Sequence, residues 1–423
     1  MEVIDTFVIN RSLRSDRKIS IINEFNDKPE FKLNIINAIE DVNGAFGLWK
    51  TIQSILSQYS AGKEFILICE DDHCFTENYS KIILHRLIEN AIKLEADILL
   101  GGVSWFNNAI RTNDYLFWVE KFTGLQFTII FKKFFKCILD AEFNEFEAAD
   151  LKISKLSLKS FLICPFFSIQ KEFGYSDVTL NNEKAGHVDQ LFLKSHDSLQ
   201  FINALSSHLN NLYYPVSRLD VSGFISVRIP TYIVNEKLGL ISDKEIEFSE
   251  KCEFDIKPYN VSAQKDGQSS LWGGIKELVL ESENNEEDIL IITDHHIFST
   301  TYKWKFLLKN ILQAHAQGAD CLLGGSLHWD NIVYASPSSF WIKEFSCCSF
   351  LVLFRKAFSK ILREPSCMEI TDIKISEILT NKLLLYPFVS YRNLTTTDLE
   401  LFLASEKRLG SMRELYLKIN ENK

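Results

Sequence analysis

The chain is short of the residues that build unusual folds. Of 423 residues only 8 are proline and 3 methionine, and the nine cysteines form no CxxC pair and keep no regular spacing. Without paired spacing, neither a zinc site nor a disulfide framework is expected. Cys69, Cys137, Cys164 and Cys321 lie within apolar runs and read as reduced core residues, which points to the cytosol. No run reaches the roughly 18 uninterrupted apolar residues of a membrane span. Met1-Glu2-Val3-Ile4-Asp5 does not open like a secretory leader. Peripheral contact with the inner membrane stays open. Positive charge is also scarce: the net charge is −10, which argues against nucleic acid as a partner. That balance still leaves room for one small basic pocket holding one anion.

What the chain does have is hydrophobic residues, 46% of the total, with 33 phenylalanines. A chain this long can bury sizeable cores without staples. It also has a repeat. NGAFGLWKTI from Asn43 resembles DGQSSLWGGI from Asp266, and EFILICEDDHCF from Glu64 resembles DILIITDHHIF from Asp288. ADILLGG recurs as ADCLLGG, FWVEKF as FWIKEF, and FKKFFKCIL as FRKAFSKIL. Trp49 meets Trp272 and Phe131 meets Phe354, both at an offset of 223 residues. One later residue is lost, so that Asp150 meets Asp372 and Pro165 meets Pro387. The period is domain-sized, far too long for a solenoid unit, and reads as a duplication. The two domains are expected at 1–212 and 220–423, with the boundary near Tyr213–Asp220.

Each copy alternates strand and helix signals. Val3–Ile9 and Glu64–Cys69 read as buried strands. Leu48, Ile52, Ile55, Leu56 and Tyr59 recur at helical spacing. Glu77–Glu95 reads as a long amphipathic helix, Asp97–Leu100 as a strand before Gly101-Gly102, and Gln126–Phe131 as a strand before a helix at Lys132–Leu139. This alternation predicts an α/β fold, Rossmann-like, with a mostly parallel sheet covered by helices. Ligands of such sheets bind beyond the carboxyl ends of the strands.

Two clusters lie at such ends. Glu70-Asp71-Asp72 follows the apolar strand Phe65–Cys69 directly. Three adjacent acids repel one another, and a hard cation such as Mn²⁺ or Mg²⁺ relieves this. Alternate residues of an extended strand end point the same way, so Glu70 and Asp72 share one ligand while Asp71 turns inward to hydrogen-bond the backbone. The alternative is a solvated loop ahead of Thr76-Glu77. The second cluster, Asn10-Arg11-Ser12-Leu13-Arg14-Ser15-Asp16-Arg17-Lys18, follows the first strand and opens a helix. Arg14, Arg17 and Lys18 would share one helix face. Guanidinium groups and a helix N-terminus both suit phosphate, although an ordinary solvated basic face remains an equal reading.

The first 180 residues resemble glycosyltransferase family 25, the lipooligosaccharide and collagen galactosyltransferase-like group. The resemblance rests on Ile9-Asn10 with Arg14 and Arg17, on Glu70-Asp71-Asp72 after Ile66–Cys69, and on the ordered set Asp150, Pro165, Gln170, Ser176, Asp177. The glycine spacing of the family's Gly-x-x-Gly-Cys persists in Gly44-Ala45-Phe46-Gly47-Leu48-Trp49, but its Cys and the Ser-His that follows are absent. The resemblance implies two tandem GT-A-like domains and transfer of a sugar from a nucleotide diphosphate donor, UDP-linked, to a glycan, lipid-linked or peptide acceptor. It implies Mn²⁺ or Mg²⁺ at Glu70 and Asp72, with His187 as a late third ligand. Donor contacts would come from Asn10, Arg11, Arg14, Arg17 and Asp71, and the base would be Asp150, with Asp177 as its rival. Asp150 recurs as Asp372, which equally suits a structural cap.

In the second copy Thr293-Asp294-His295 stands where the acids were, and Phe224–Val234 shows no equivalent of Asn10-Arg11…Arg14. That copy is expected to be degenerate, with metal binding by Asp294 and His296 as the counter-reading. A non-catalytic sugar- or nucleotide-binding scaffold is the alternative for the whole chain.

Overall fold

The computed structural model describes residues 3–144, 147–175, 184–212, 221, 223, 228–235, 248, 251–260, 271–293, 296–365, 371–392 and 395–420. The chain divides into two compact units, Met1–Ala204 and Leu205–Lys423. The expected boundary, Tyr213–Asp220, lies outside the described residues.

The first unit runs β1 (Ile4–Asn10), α1 (Ser15–Phe25), β2 (Phe31–Asn37), α2 (Gly44–Tyr59), β3 (Phe65–Glu70), β4 (His73–Phe75) and α3 (Lys81–Lys93). It continues through β5 (Ile98–Leu100), β6 (Trp105–Phe106), β7 (Ala109–Arg111), β8 (Leu116–Val119), β9 (Phe122–Thr123) and β10 (Phe127–Phe131). Then come α4 (Lys132–Asp140), α5 (Ala149–Leu156), β11 (Ser160–Ile163), β12 (Ser168–Gln170) and α6 (His187–Leu212), which crosses the division between the units.

Among the described residues eight strands form one sheet in the order β2-β1-β3-β10-β5-β11-β8-β7. The expected α/β class is present, but the sheet is mixed rather than mostly parallel. Only β1–β2, β1–β3 and β5–β11 pair in parallel; the other four neighbours are antiparallel. The sequence concealed this because β10 (FTIIF), buried at every residue, carries the same continuous apolar signal as a parallel strand.

Local chemistry sets the helix starts. Asn43 caps α2 by accepting from Ala45 N and Phe46 N. Ser80 caps α3, so that helix begins at Lys81 rather than Glu77. Arg14 is the cap residue of α1, not a member of its helical face. Gly101-Gly102 is a close-approach device: a Cβ on Gly102 would sit 2.0 Å from the Ser168 carbonyl oxygen. Gly325 would meet the Ser390 oxygen at 2.2 Å in the same way, which explains why both repeats keep the pair. Cys69, Cys164 and Cys321 are buried free thiols as expected, whereas Cys137 is exposed. It lies on α4, whose core face is built from Phe134, Phe135 and Ile138 instead.

The second unit repeats the plan. It has β13 (Ile229–Asn235), β14 (Phe254–Asn260), α7 (Leu271–Asn284), β15 (Ile289–Thr293), β16 (His296–Phe298), α8 (Trp304–Ala316) and β17 (Cys321–Leu323). These lead to β18 (His328–Ser336), β19 (Ser339–Ser346), β20 (Phe350–Leu353), α9 (Arg355–Arg363), α10 (Thr371–Ile378), β21 (Lys382–Leu385), β22 (Ser390–Arg392) and α11 (Thr396–Asn420). Its sheet order, β14-β13-β15-β20-β17-β21-β19-β18, matches the first strand for strand. Trp49 and Trp272 are both 1% exposed, and both Cys164-Pro165 and Tyr386-Pro387 are cis. No helix among the described residues is long and apolar enough to cross a membrane.

Candidate functional site

In the first unit the chain leaves β1 towards β2 on one side and returns to β3 on the other. Crossovers that part in this way open a crevice at the carboxyl ends of the two central strands. Asn10 ends β1 and Glu70 ends β3. A cavity of about 380 Å³ opens there, with Glu70, Asp71, Asp72, Asp150, Arg11, Arg14 and Arg17 in its wall. Gly44, Ala45 and Leu48 of α2 line it, and a Cβ on Gly47 would lie 2.5 Å from the Ile39 carbonyl oxygen. The retained glycine therefore lets the helix start approach the end of β2.

Asp71 and Asp72 form the turn after β3, not the extended strand end that the expected alternation assumes. Asp71 turns inward and is 4% exposed, but it is held by side chains rather than by the backbone. Asn10 Nδ2 donates to Asp71 Oδ2 at 2.8 Å, and Arg17 Nη1 donates to Asp71 Oδ1 at 3.1 Å. Arg17 Nη1 also reaches Asp72 Oδ2 at 3.2 Å, and Nη2 donates to the Tyr175 carbonyl at 2.8 Å. The guanidinium stacks over Phe173 and Tyr175, 4.7 and 4.6 Å from their centroids. Burial alone would lower its pKa, but Asp72 and Asp71 outweigh that and raise it. Arg17 is thus a fixed internal cation, not a free grip for phosphate. Arg14 Nη1 lies 3.8 Å from Asp71 Oδ1, and Arg11 lies 3.9 Å from Glu40. Lys18 is exposed and does not line the cavity, so the expected three-cation face does not form.

The other carboxylates sit uneasily. Burial lifts the Asp72 carboxyl to about 6 despite the opposing pull of Arg17, and Asp71 adds to the rise. Asp72 Oδ1 is buried without a hydrogen-bond partner. Burial pushes Glu70 well above the carboxylate range, and the charges of Asp72, Asp150 and Asp71 push it further. Burial also raises Asp150, against hydrogen bonds from Gly124 N at 3.0 Å and Leu151 N at 2.7 Å. Counting the whole wall, four basic side chains face seven carboxylates. The excess of negative charge around Glu70, Asp71, Asp72 and Asp150 favours a hard cation with oxygen ligands. Glu70 and the unpartnered oxygen of Asp72 fit that need. Among the described residues no three His, Cys, Asp or Glu side chains converge as a metal site.

The structure does not bring His187 to these acids. It opens α6 half-buried, and its neighbours Val188 and Leu191 line the cavity while His187 does not. Ser176 and Asp177 lie outside the described residues. His73, next to the triplet, is 1% exposed and shares a 2.7 Å hydrogen bond from Nδ1 with Ser168 Oγ. Burial lowers its pKa to about 3, so it is a neutral core residue. Sequence reasoning missed Lys171, Glu172, Phe173 and Tyr175, which all line the cavity. Glu172 accepts from Gly186 N and Val188 N, both at 2.7 Å, and so caps α6. A signal was present: charged residues follow the strand ending at Gln170, just as acids follow the strand ending at Cys69.

In the second unit His296 is 0% exposed and shares its Nδ1 hydrogen bond with Ser390 Oγ at 2.7 Å. It is the counterpart of His73, packed among aromatic rings in the same way. Asp294 lies outside the described residues. The strand register also supplies an equivalent that sequence alignment did not find. Asn10 pairs with Asn37 at the ends of β1 and β2, and Asn235 pairs with Asn260 at the ends of β13 and β14.

No family model matches this chain, and no curated protein does. Among solved structures, apo-UDP-glucose pyrophosphorylase is similar at 8% identity, with a TM-score of 0.26, over 47% of this chain and 81% of that one. A likeness so faint carries no argument about activity, which rests on the cavity itself.

Proposed function

We propose that the first unit is a metal-dependent glycosyltransferase. It moves a sugar from a nucleotide diphosphate donor, UDP-linked, to a hydroxyl of a glycan, lipid-linked saccharide or peptide. The observation that carries this reading is the cavity at the β1–β3 crevice, where burial and the charges of Asp72 and Asp150 raise the Glu70 carboxyl and Asp72 Oδ1 is buried without a hydrogen-bond partner. Glu70 and Asp72 would hold Mn²⁺ or Mg²⁺, which when bound neutralises the charge developing on the leaving diphosphate.

The chain's own residues have separable tasks. Asn10 and Arg17 lock Asp71, and Arg17 also orients Asp72, so that the open oxygen of Asp72 faces one direction. The apolar wall from Ile39, Ala45 and Leu48 offers a surface on which a flat base can pack. Asp150 is the general base. Each of its oxygens accepts one backbone N–H, which leaves a second lone pair on each for an acceptor hydroxyl. Its raised pKa improves its match to proton transfer near neutral pH. The proton of the acceptor hydroxyl goes to the Asp150 carboxylate as the oxygen attacks the sugar.

The second unit is a degenerate tandem GT-A-like copy that serves acceptor binding or stability. The support for this is the shared sheet order beside the replacement of the two candidate ligand acids by Thr293 and His295. The test is thermal-shift screening of nucleotide sugars with and without Mn²⁺. A ligand of the native state raises the melting temperature by mass action. A rise with UDP-sugars only in the presence of Mn²⁺ is expected; no rise with any nucleotide sugar overturns the reading.

A further inference from the structure

The arginines expected to bind phosphate are already engaged. Arg17 faces Asp71 and Asp72, Arg14 faces Asp71, and Arg11 faces Glu40. An anionic diphosphate entering this wall meets cations whose charge is already matched. The fourth cation of the wall differs. Lys171 lines the cavity and is exposed. Among the described residues its ammonium contacts the Ser20 hydroxyl at 3.0 Å and the Phe173 ring at 5.5 Å, and it pairs with no carboxylate.

Its backbone is tied beside the acids. Lys171 N donates to the Asp72 carbonyl at 2.7 Å, extending the pairing of β12 with β4 by one residue. The side chain therefore starts from a fixed point next to Asp72 while its tip is held by one neutral hydroxyl. A serine hydroxyl is a weak partner for an ammonium, and a phosphate oxygen is a stronger one. Four rotatable carbons let the tip exchange one for the other without moving the backbone. The second copy lacks this group: strand pairing places Arg392 where Gln170 stands, and the next residue is Asn393.

We infer that Lys171 binds the diphosphate of the donor, swinging from Ser20 to a phosphate oxygen, and that the buried arginines act only through Asp71 and Asp72. The inference rests on the nucleotide-sugar reading and goes further by assigning the diphosphate contact to a residue outside the basic cluster. Lys171 assists departure of the nucleoside diphosphate by charge, with no bond made or broken at its nitrogen.

The experiment is calorimetric titration of the full chain in Mn²⁺ with UDP, GDP, CDP, uridine and inorganic pyrophosphate, using wild type, Lys171→Met and Lys171→Arg. Every variant keeps the backbone bond to Asp72. The expected result is a nucleoside diphosphate affinity lowered about tenfold or more by Lys171→Met, the scale of a lost charged hydrogen bond. Uridine binding should change less than twofold, and Lys171→Arg should recover most of the loss. Equal diphosphate affinity in wild type and Lys171→Met overturns the inference and leaves the proposed function standing. A wild type that binds no nucleoside diphosphate overturns both. Pyrophosphate bound as tightly as any nucleoside diphosphate, and lost equally in Lys171→Met, overturns the donor assignment in favour of a bare phosphate site.

Discussion

His73 in the first unit and His296 in the second share hydrogen bonds of the same length with Ser168 and Ser390. Each sits in a matching ring of aromatics: Phe25, Phe75 and Phe127 around His73, Phe248, Phe298 and Phe350 around His296. Tyr79 donates to Glu30 as Tyr302 donates to Glu253. Asp150 receives Gly124 N as Asp372 receives Cys348 N. Ser154 receives Phe122 N as Ser376 receives Phe345 N. These groups hold loops to sheets in both units. Glu70 and Asp72 of the first unit are not repeated: Thr293 and His295 stand at the matching positions of the second. The difference separates what the fold needs from what the site needs: the shared groups recur with matching partners, whereas the unshared Glu70 and Asp72 are carboxyls that burial pushes up.

The sharpest way to break this comparison is to remove one residue from each side. Asp72→Ala should lower sugar transfer by orders of magnitude, while His295→Ala should stay within a few-fold of wild type. Equal, severe losses measured in steady-state assays would mean that both units are catalytic. Asp150 and Asp372 test the shared position. Asp150→Asn should keep donor affinity and lose about 10²–10⁴-fold in turnover, since Asn preserves shape but cannot accept a proton at neutral pH. Asp372→Asn should leave turnover unchanged. If Asp150→Asn also leaves turnover intact, Asp150 is only the cap that Asp372 is, and Asp177 is the next residue to replace.

A smaller effect should appear in stability. The Asp72 carboxyl titrates at about 6 in the folded chain, against about 3.9 for an unfolded aspartate. Between those values the folded state holds more protons. The contribution of Asp72 to stability is therefore most favourable below about pH 4, declines as pH rises to about 6, and is flat above. In metal-free protein Asp72→Asn should raise stability at pH 7 by on the order of 3 kcal/mol and leave it unchanged near pH 4. A mutant less stable than wild type at pH 7 would show that the Arg17 ion pair outweighs burial.

The repeat was legible because its markers are structural: Trp49 and Trp272 fill cores, and Gly102 and Gly325 permit contacts that any Cβ would block. The direction of β10 was not legible, since an apolar strand buried on both faces reads alike in either direction. Within the site, Glu70 and Asp72 could be named because charge directly after an apolar strand stands out. Whether Arg17 would face solvent or Asp71 depends on residues 54 positions apart, which no local pattern encodes. Asn235 escaped alignment because two residues are lost between the matching strand ends and Phe248, so that only the strand register recovers it. His187 was assigned by resemblance alone, and the α6 cap at Glu172 turns Val188 and Leu191 to the cavity instead.

The central claim is that one unit, not two, holds a metal-dependent nucleotide-diphosphate site. Its most direct test is calorimetric titration of UDP in Mn²⁺, reading the number of sites per chain in wild type and in Asp72→Ala. The account predicts one site in wild type, none when Mn²⁺ is replaced by a chelator, and none in Asp72→Ala. Two sites per chain, or one site that survives Asp72→Ala, would contradict it.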